Sequence, residues 1–245
     1  MPSFPRSLSA IISGGSALTV LLATGGSAQA AAKAPAYPNL SVDAASALLP
    51  TAAMLPVHMK ESAKVQIAGL ATAVPCLASL FTSSSTSGFP GLQLKGGSQV
   101  SAAYSSTHVS LTSPNPVLWS ISATVFHNQA KAKAAMAAIV KAEKACPKAV
   151  PGNAADGTPA ITRTLSLPYA SGAWSGYRSI DHIAGDPSQG DPIEGGRLNN
   201  VYLTRGNVLL QIQEVAPSAK NSGARQDTWR KAVVKLVVAR FDARR

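Results

Sequence analysis

The fold is decided by the segment VYLTRGNVLLQI, residues Val201–Ile212. Two runs of apolar and β-branched residues, Leu198–Arg205 and Asn207–Val215, flank Gly206. A short break that contains glycine between two such runs is typical of a β-hairpin, because glycine readily adopts the left-handed backbone of a tight turn. We therefore predict two adjacent antiparallel strands that meet at this turn.

Upstream segments repeat the strand pattern. Trp119–His127 alternates apolar residues with serine and threonine, and Ser98–Ser106 alternates in the same way. Ile161–Leu167 and Trp174–Ile183 are predicted to be further strands. Consecutive strands with interspersed helices favour a single α+β domain, with a mainly antiparallel sheet packed against helices.

The longest predicted helix begins after Asn128, a good N-cap residue, and runs through Ala145. Met136, Ile139 and Cys146 fall on one face of it at helical spacing. The opposite face carries lysines that form a basic ridge, here called the lysine ridge: Lys133, Lys141, Lys144 and Lys148.

Three other helices are predicted. One begins after Ser41 and ends before Pro50, and another begins at Pro75. Arg225–Phe241 forms an amphipathic helix with Trp229 on its apolar stripe.

The amino terminus has the plan of a secretory signal peptide. Met1–Arg6 carries one positive charge, Ile11–Leu22 is mostly small or apolar, and Gly25–Ala30 ends in A-x-A. The alternative is a transmembrane anchor, but a bilayer span needs about 20 predominantly apolar residues. This segment is shorter than that and is interrupted by Ser13–Ser16.

We therefore predict a signal peptide at residues 1–30, a linker at 31–40 and the folded domain at 41–245. Cleavage near Ala30 makes the protein secreted, with no membrane span.

The chain has a formal net charge of +11 at pH 7. Such a balance attracts polyanions. Export argues against nucleic acid, so the partners expected from charge are anionic cell-wall polymers or anionic lipid head groups. A surface charge that only confers solubility is the alternative.

The two cysteines, Cys76 and Cys146, both lie after the predicted cleavage site. An even number in an exported chain favours one disulfide. The alternatives are two free thiols or a metal pair, but no histidine lies at a finger-like spacing from either cysteine.

The common catalytic and cofactor motifs are absent: no G-x-S-x-G, S-x-x-K, H-E-x-x-H, G-x-G-x-x-G or P-loop occurs. We predict no catalytic residue, no metal site and no cofactor. Four scattered histidines could each pair with a serine, but the sequence favours none: His58, His108, His127 and His182.

One acidic cluster stands out in this basic chain and consists of Asp181, His182, Asp186, Asp191 and Glu194. A calcium loop is one interpretation, but the spacing matches no known calcium loop. Aspartates before proline and among glycines favour turns instead.

Aromatic and arginine side chains near the loop-rich rim are the candidate ligand-binding residues: Trp174, Tyr177, Arg178, Tyr202 and Arg205. The aromatic rings could line a cleft, and Arg178 and Arg205, with Arg197 nearby, could hold an anionic ligand. Core packing of the rings and solvation of the arginines are the alternatives.

The order of these features resembles the PknH-like extracellular sensor domain. That domain lies outside the membrane on some actinobacterial Ser/Thr kinases and also forms stand-alone secreted proteins or lipoproteins. The resemblance spans roughly Asn39 to Asp242 and rests on these segments: Leu48-Leu49-Pro50, Pro75-Cys76, Trp119–His127 leading to a helix that ends in Cys146, and the hairpin Val201–Ile212 before the last helix.

The resemblance implies an α+β domain with a cleft between sheet and helices that binds a small ligand outside the cell. It also implies that Cys76 and Cys146 form the first disulfide of that family. A second bridge is common in the family, and this chain has no cysteines for it.

The leading hypothesis is a secreted, non-enzymatic binding or sensor-like protein of the cell envelope that takes a small or anionic ligand. The alternatives are a secreted hydrolase with an unrecognised Ser–His site, and an adhesive protein that binds anionic wall polymers through the lysine ridge.

Overall fold

The computed structural model describes residues 37–56, 59–61, 64–75, 91–106, 117–151, 159–183, 196–216 and 224–243. The helices and strands within these ranges are α1 (Val42–Leu48), a 3-10 turn (Ala52–Met54), β1 (Met59–Glu61), β2 (Val65–Ile67), β3 (Leu70–Ala73), β4 (Leu92–Lys95), β5 (Gly97–Ser106), β6 (Leu118–Phe126), α2 (Gln129–Ala145), β7 (Ala149–Pro151), β8 (Pro159–Ser171), β9 (Trp174–Ile183), β10 (Arg197–Arg205), β11 (Val208–Ala216) and α3 (Ala224–Asp242).

Nine strands form one sheet in the order β1-β5-β6-β11-β10-β9-β8-β7, with β2 also paired to β5. Strands β3 and β4 form a separate two-stranded sheet. Every strand pair is antiparallel. The predicted α+β domain with a mainly antiparallel sheet is confirmed.

The turn of the β10–β11 hairpin ties the amino-terminal segment to the sheet. Gly206 has φ +56°, and a Cβ at this position would lie 2.4 Å from Tyr37 Cδ1, so only glycine fits. The buried Asn207 side chain accepts a hydrogen bond from the Leu40 N–H (2.9 Å) and donates to the carbonyls of Leu40 (3.0 Å) and Phe126 (2.8 Å).

Helices α1 and α3 cover one face of the large sheet, here called the first face. Alternate residues of β6, β10 and β11, such as Ile121, Leu203 and Leu210, bury their side chains there. Val237 and Phe241 of α3 are fully buried against them. The period of two in the strands therefore supplies one apolar layer, as expected for a sheet packed on helices.

Helix α2 and the β3–β4 sheet cover the opposite, second face. Met136 and Ile139 of α2 pack with Tyr177, Tyr202 and other buried residues of this face: Ala71, Ala73, Leu94, Phe126 and Leu209. The predicted cap is confirmed, because the Asn128 side chain accepts a hydrogen bond from the Lys131 N–H at 3.0 Å. All four residues of the lysine ridge are exposed, as predicted.

The predicted hairpin and the strands Ser98–Ser106, Trp119–His127, Ile161–Leu167 and Trp174–Ile183 match β strands to within a few residues, although β8 is longer than predicted. The pattern analysis missed β1 to β4, which are only three or four residues long. Strands this short contain too few alternations for a period of two to emerge.

Several predictions concern residues outside the described ranges. They are the signal peptide, most of the linker, and the helix begun at Pro75 with Cys76. Cys146 is buried at the carboxyl end of α2. Because Cys76 is not described, the disulfide remains a prediction.

Candidate functional site

Three arginines converge on the first face at one end of the sheet: Arg178 on β9, Arg197 on β10 and Arg230 on α3. In the register of β9 and β10, Arg178 lies opposite Val201. Arg197, Asn199 and Val201 are alternate residues of β10, so their side chains lie on the same face of the strand. The first turns of α3 cover this corner and add Arg230. We call these three residues the arginine cluster.

Two carboxylates lie among these arginines, and they differ in exposure. Glu214 is fully buried and accepts hydrogen bonds from Arg230 Nε (2.7 Å) and Asn199 Nδ2 (2.9 Å). The side chain of Asp227, in the first turn of α3, is 48% exposed. Its Oδ1 lies 3.3 Å from Arg197 Nη2 and 4.0 Å from Arg178 Nη2, and it also contacts Arg230 Nη1.

Burial and the neighbouring positive charge both change the pKa values of the arginines. Burial lowers the pKa of Arg178 and of Arg197, and the charge of Arg230 lowers each further. Burial alone would raise the pKa of Asp227, but the hydrogen bond and charge of Arg230, with Arg197 and Arg178, hold it below its usual value. Burial raises the pKa of Glu214 against the opposing effect of Arg230.

The arginine cluster contains buried polar atoms without hydrogen-bond partners. Among the described residues, Arg178 Nε, Arg197 Nε and Arg230 Nη2 are buried without an acceptor, and Oε1 of the adjacent Glu214 is buried without a donor. Buried polar groups are normally paired, so donors left over in a group with surplus positive charge favour an anion. Three guanidinium groups against two carboxylates leave a net charge of +1.

Two of the predicted ligand-binding residues, Trp174 and Arg205, instead anchor the carboxyl end of α3. Trp174 is fully buried and donates from Nε1 to Asp242 Oδ1 at 2.9 Å, with its ring edge-on to Phe241. Arg205 forms an ion pair with the same carboxylate at 2.5 Å and lies 4.6 Å from the centre of the Tyr37 ring. Both side chains therefore make contacts that stabilise the fold.

Tyr177 and Tyr202 lie on the second face, where their rings stack at 5.1 Å. Both are fully buried, and burial raises the pKa of each hydroxyl. They line no opening with Trp174 or Arg205, because the sheet separates the two faces.

A second group of charges lies near these tyrosines and consists of Glu143 on α2, Arg163 on β8 and Asp181 on β9. Arg163 donates to both carboxylate oxygens of Asp181, at 2.5 and 2.8 Å, and its Nη1 lies 3.3 Å from Glu143 Oε1. Burial raises the pKa of Glu143 to about 7, against the opposing charge of Arg163. Asp181 of the predicted acidic cluster is therefore an internal ion-pair partner, and Asp186, Asp191 and Glu194 lie outside the described residues.

Of the five predicted ligand-binding residues, only Arg178 belongs to the arginine cluster. Arg197, which the sequence also indicated as an anion ligand, is a second member of the cluster. Sequence reasoning missed Arg230, although one signal was present: this charged residue precedes Val233 and Val234 on the apolar side of an amphipathic helix.

A groove of about 240 Å³ opens where β5 and β11 end and β6 begins, lined in part by Leu118, Gln213 and Val215. None of the predicted site residues lines it. Within the described ranges no helix is long and apolar enough to cross a membrane, and no three His, Cys, Asp or Glu side chains are grouped to hold a metal. His127 and His182 are exposed.

No protein-family model and no curated protein matches the chain. Among solved structures, the extracellular domain of PknH from Mycobacterium tuberculosis is similar over 84% of this chain and 99% of its own, with 14% identity and a TM-score of 0.50. An uncharacterized protein of Mycobacterium smegmatis, the Rv0999 ortholog, matches the same shares at 14% identity with a TM-score of 0.38. The chain has the fold of a PknH-like sensor domain.

Proposed function

We propose that this chain is an exported sensor or binding protein of the cell envelope, and that it binds a small anion at the arginine cluster. Of the five predicted ligand-binding residues, only Arg178 is part of the proposed site. Arg197 and Arg230 replace Trp174, Tyr177, Tyr202 and Arg205, whose side chains are used in packing and internal ion pairs.

The observation that carries the proposal is the convergence of three guanidinium groups on one half-exposed carboxylate. Like charges held this close cost free energy unless an anion offsets them. Burial is the main cause of the lowered pKa of Arg178 and of Arg197, and the charge of Arg230 lowers each further. An oxyanion that accepts the remaining N–H groups would relieve the repulsion. Guanidinium groups suit this task, because their fixed fork of donors matches carboxylate and phosphate oxygens.

Export and the disulfide belong to the same proposal. The signal peptide at residues 1–30 and the domain at 41–245 are supported by the pattern of the amino terminus. Ala71 and Ala73, just before Cys76, share a core with Ile139 of α2, which ends at Ala145, directly before Cys146. A bridge between them would close a loop of about 70 residues and add roughly 4 kcal/mol in the chain-entropy model.

Export is tested on protein recovered from the medium of an actinobacterial host. We expect an amino terminus at or near Ala31 and thiols that resist alkylation until a reductant is added. An intact Met1 contradicts export, and thiols that are alkylated without reductant contradict the disulfide.

Anion binding is tested by calorimetric titration of the full chain with inorganic phosphate, sulfate and citrate. We expect saturable binding of at least one of them. Arg178→Ala should weaken it by about tenfold or more, as expected for loss of a charge-assisted hydrogen bond. Arg178 is the most exposed of the three arginines, and its removal relieves repulsion, so the variant should fold.

The matched control is Lys133→Ala, which removes one positive charge from the exposed lysine ridge. It should leave anion affinity within about twofold of the wild type, since Lys133 is exposed on α2, which covers the opposite face of the sheet, and salt screens exposed charges. Equal losses in both variants would contradict a specific site and favour adhesion to anionic polymers through overall charge. No binding of any of the three anions would contradict the proposed site.

A fluorophosphonate probe for activated serines separates the binding proposal from the hydrolase alternative. We expect no labelling. Labelling that a histidine substitution abolishes would favour the hydrolase.

A further inference from the structure

The two carboxylates of the arginine cluster differ in how firmly they are held. Glu214 is fully buried, and one of its oxygens accepts from both Asn199 and Arg230. Asp227 is about half exposed and lies in the first turn of α3, beside solvent. The Asp227 carboxylate can therefore rotate into water, whereas the buried Glu214 carboxylate is held beside Arg230.

The Asp227 carboxylate already occupies the point on which the guanidinium groups converge. Its Oδ1 lies within 4.0 Å of donors on Arg178 and Arg197 and also contacts Arg230. It is the chain's own anion in this position. With Asp227 in this position, buried donors on all three arginines have no described acceptor, and the printed contacts of Asp227 use only its Oδ1.

The charge balance indicates which anion would replace it. With Asp227 turned away, three guanidinium groups face only Glu214, a surplus of two positive charges. A doubly charged tetrahedral oxyanion balances that surplus and offers more acceptor oxygens than a carboxylate. A monoanion would merely exchange one single charge for another.

We propose that the arginine cluster takes a dianionic phosphate group, either free phosphate or a phosphate monoester, and that this group displaces Asp227. The proposal rests on the proposed anion-binding function and narrows it to a ligand class. The incoming group also inherits the position of Asp227 at the amino end of α3, where the helix dipole favours negative charge. Asp227 is then a selectivity residue, because only a ligand with more charge than its own side chain gains by replacing it.

The test is a set of titrations of the full chain at about pH 8, where a phosphate monoester carries close to two negative charges. Inorganic phosphate and glucose 1-phosphate represent the free and esterified sources, and dimethyl phosphate is a monoanion with the same tetrahedral core. We expect the wild type to bind at least one dianion about tenfold or more tightly than dimethyl phosphate, a difference of about 1.4 kcal/mol.

The variant Asp227→Asn keeps the shape of the side chain and removes its charge. Because the ligand no longer competes with a carboxylate, we expect phosphate affinity to rise by about tenfold. Asp43→Asn, which removes an exposed carboxylate from α1, should change affinity by less than about twofold.

Equal affinity for dimethyl phosphate and the dianions, or unchanged or weaker phosphate binding by Asp227→Asn, would overturn the inference. If the wild type still bound another anion and Arg178→Ala weakened that binding, the proposed anion-binding function would stand and only the dianionic phosphate class would be excluded. Phosphate binding by neither wild type nor Asp227→Asn would also overturn it.

Discussion

Replacing Glu143 by glutamine is expected to change how the stability of the protein depends on pH. Glu143 is 2% exposed on α2 and faces Arg163 of β8 and Asp181 of β9. The neighbouring Ser179 and Tyr177 of β9 and Tyr202 of β10 are polar groups of the same pocket. Arg163 is already engaged by both oxygens of Asp181, so it offsets the burial of Glu143 only in part.

The magnitude follows from the raised pKa. Burial moves the pKa of Glu143 from 4.5 to about 7 in the folded protein. One pKa unit corresponds to about 1.4 kcal/mol, so the ionised carboxylate costs the folded state about 3 kcal/mol relative to the protonated one.

The sign follows from proton binding. Between about pH 4.5 and pH 7 the folded state holds a proton that the unfolded state has lost, so stability falls as pH rises through this window. Above about pH 7 both states are ionised at Glu143 and its contribution is constant. Glutamine does not titrate, and Glu143→Gln should therefore gain about 3 kcal/mol on the wild type between about pH 4.5 and pH 8.

The assay is urea unfolding of both proteins across this pH range, and the informative quantity is the difference between them, in which the other titrations cancel. Asp43→Asn serves as the control, because this carboxylate is exposed, and its difference from the wild type should vary by less than about 1 kcal/mol. A difference for Glu143→Gln that is flat with pH would show that the pKa of Glu143 is not raised in the folded protein. If Glu143→Gln instead became less stable relative to the wild type as pH rises, Arg163 would stabilise the carboxylate more than burial destabilises it.

Two further substitutions test how the fold is held together. Asn207→Ala should lower the free energy of unfolding in urea by about 3 kcal/mol, because three buried backbone groups of Leu40 and Phe126 lose their hydrogen-bond partner. A decrease below about 1 kcal/mol would contradict this role of Asn207. Gly176→Ala should cost about 3 kcal/mol or more, because its Cβ would lie 1.9 Å from a backbone oxygen of β10. Gly91→Ala is its control: the nearest atom there is 3.4 Å away, and similar losses in both variants would argue against a steric cause.

The architecture was largely predictable from local patterns. Alternation in Trp119–His127 and the glycine between Leu198–Arg205 and Asn207–Val215 predicted β6 and the β10–β11 hairpin, because each pattern depends only on residues that are neighbours in the chain. The cap at Asn128 was predictable for the same reason, since it depends on residues within one turn.

The charged groups were not predictable, because they form only when distant segments meet. Arg178 and Arg230 are far apart in sequence and share Asp227 only because α3 packs over β9 and β10. The burial of Tyr177 and Tyr202 likewise depends on α2 covering the second face, which no local pattern of aromatic residues reveals.

Displacement of Asp227 by a dianion can be observed directly in a crystal structure of the protein soaked in selenate, a tetrahedral dianion whose anomalous scattering locates it without ambiguity. We expect an anomalous peak within hydrogen-bonding distance of Arg178, Arg197 and Arg230, with the Asp227 side chain turned into solvent. A structure that keeps Asp227 bonded to the arginines, with selenate elsewhere or nowhere, would contradict it.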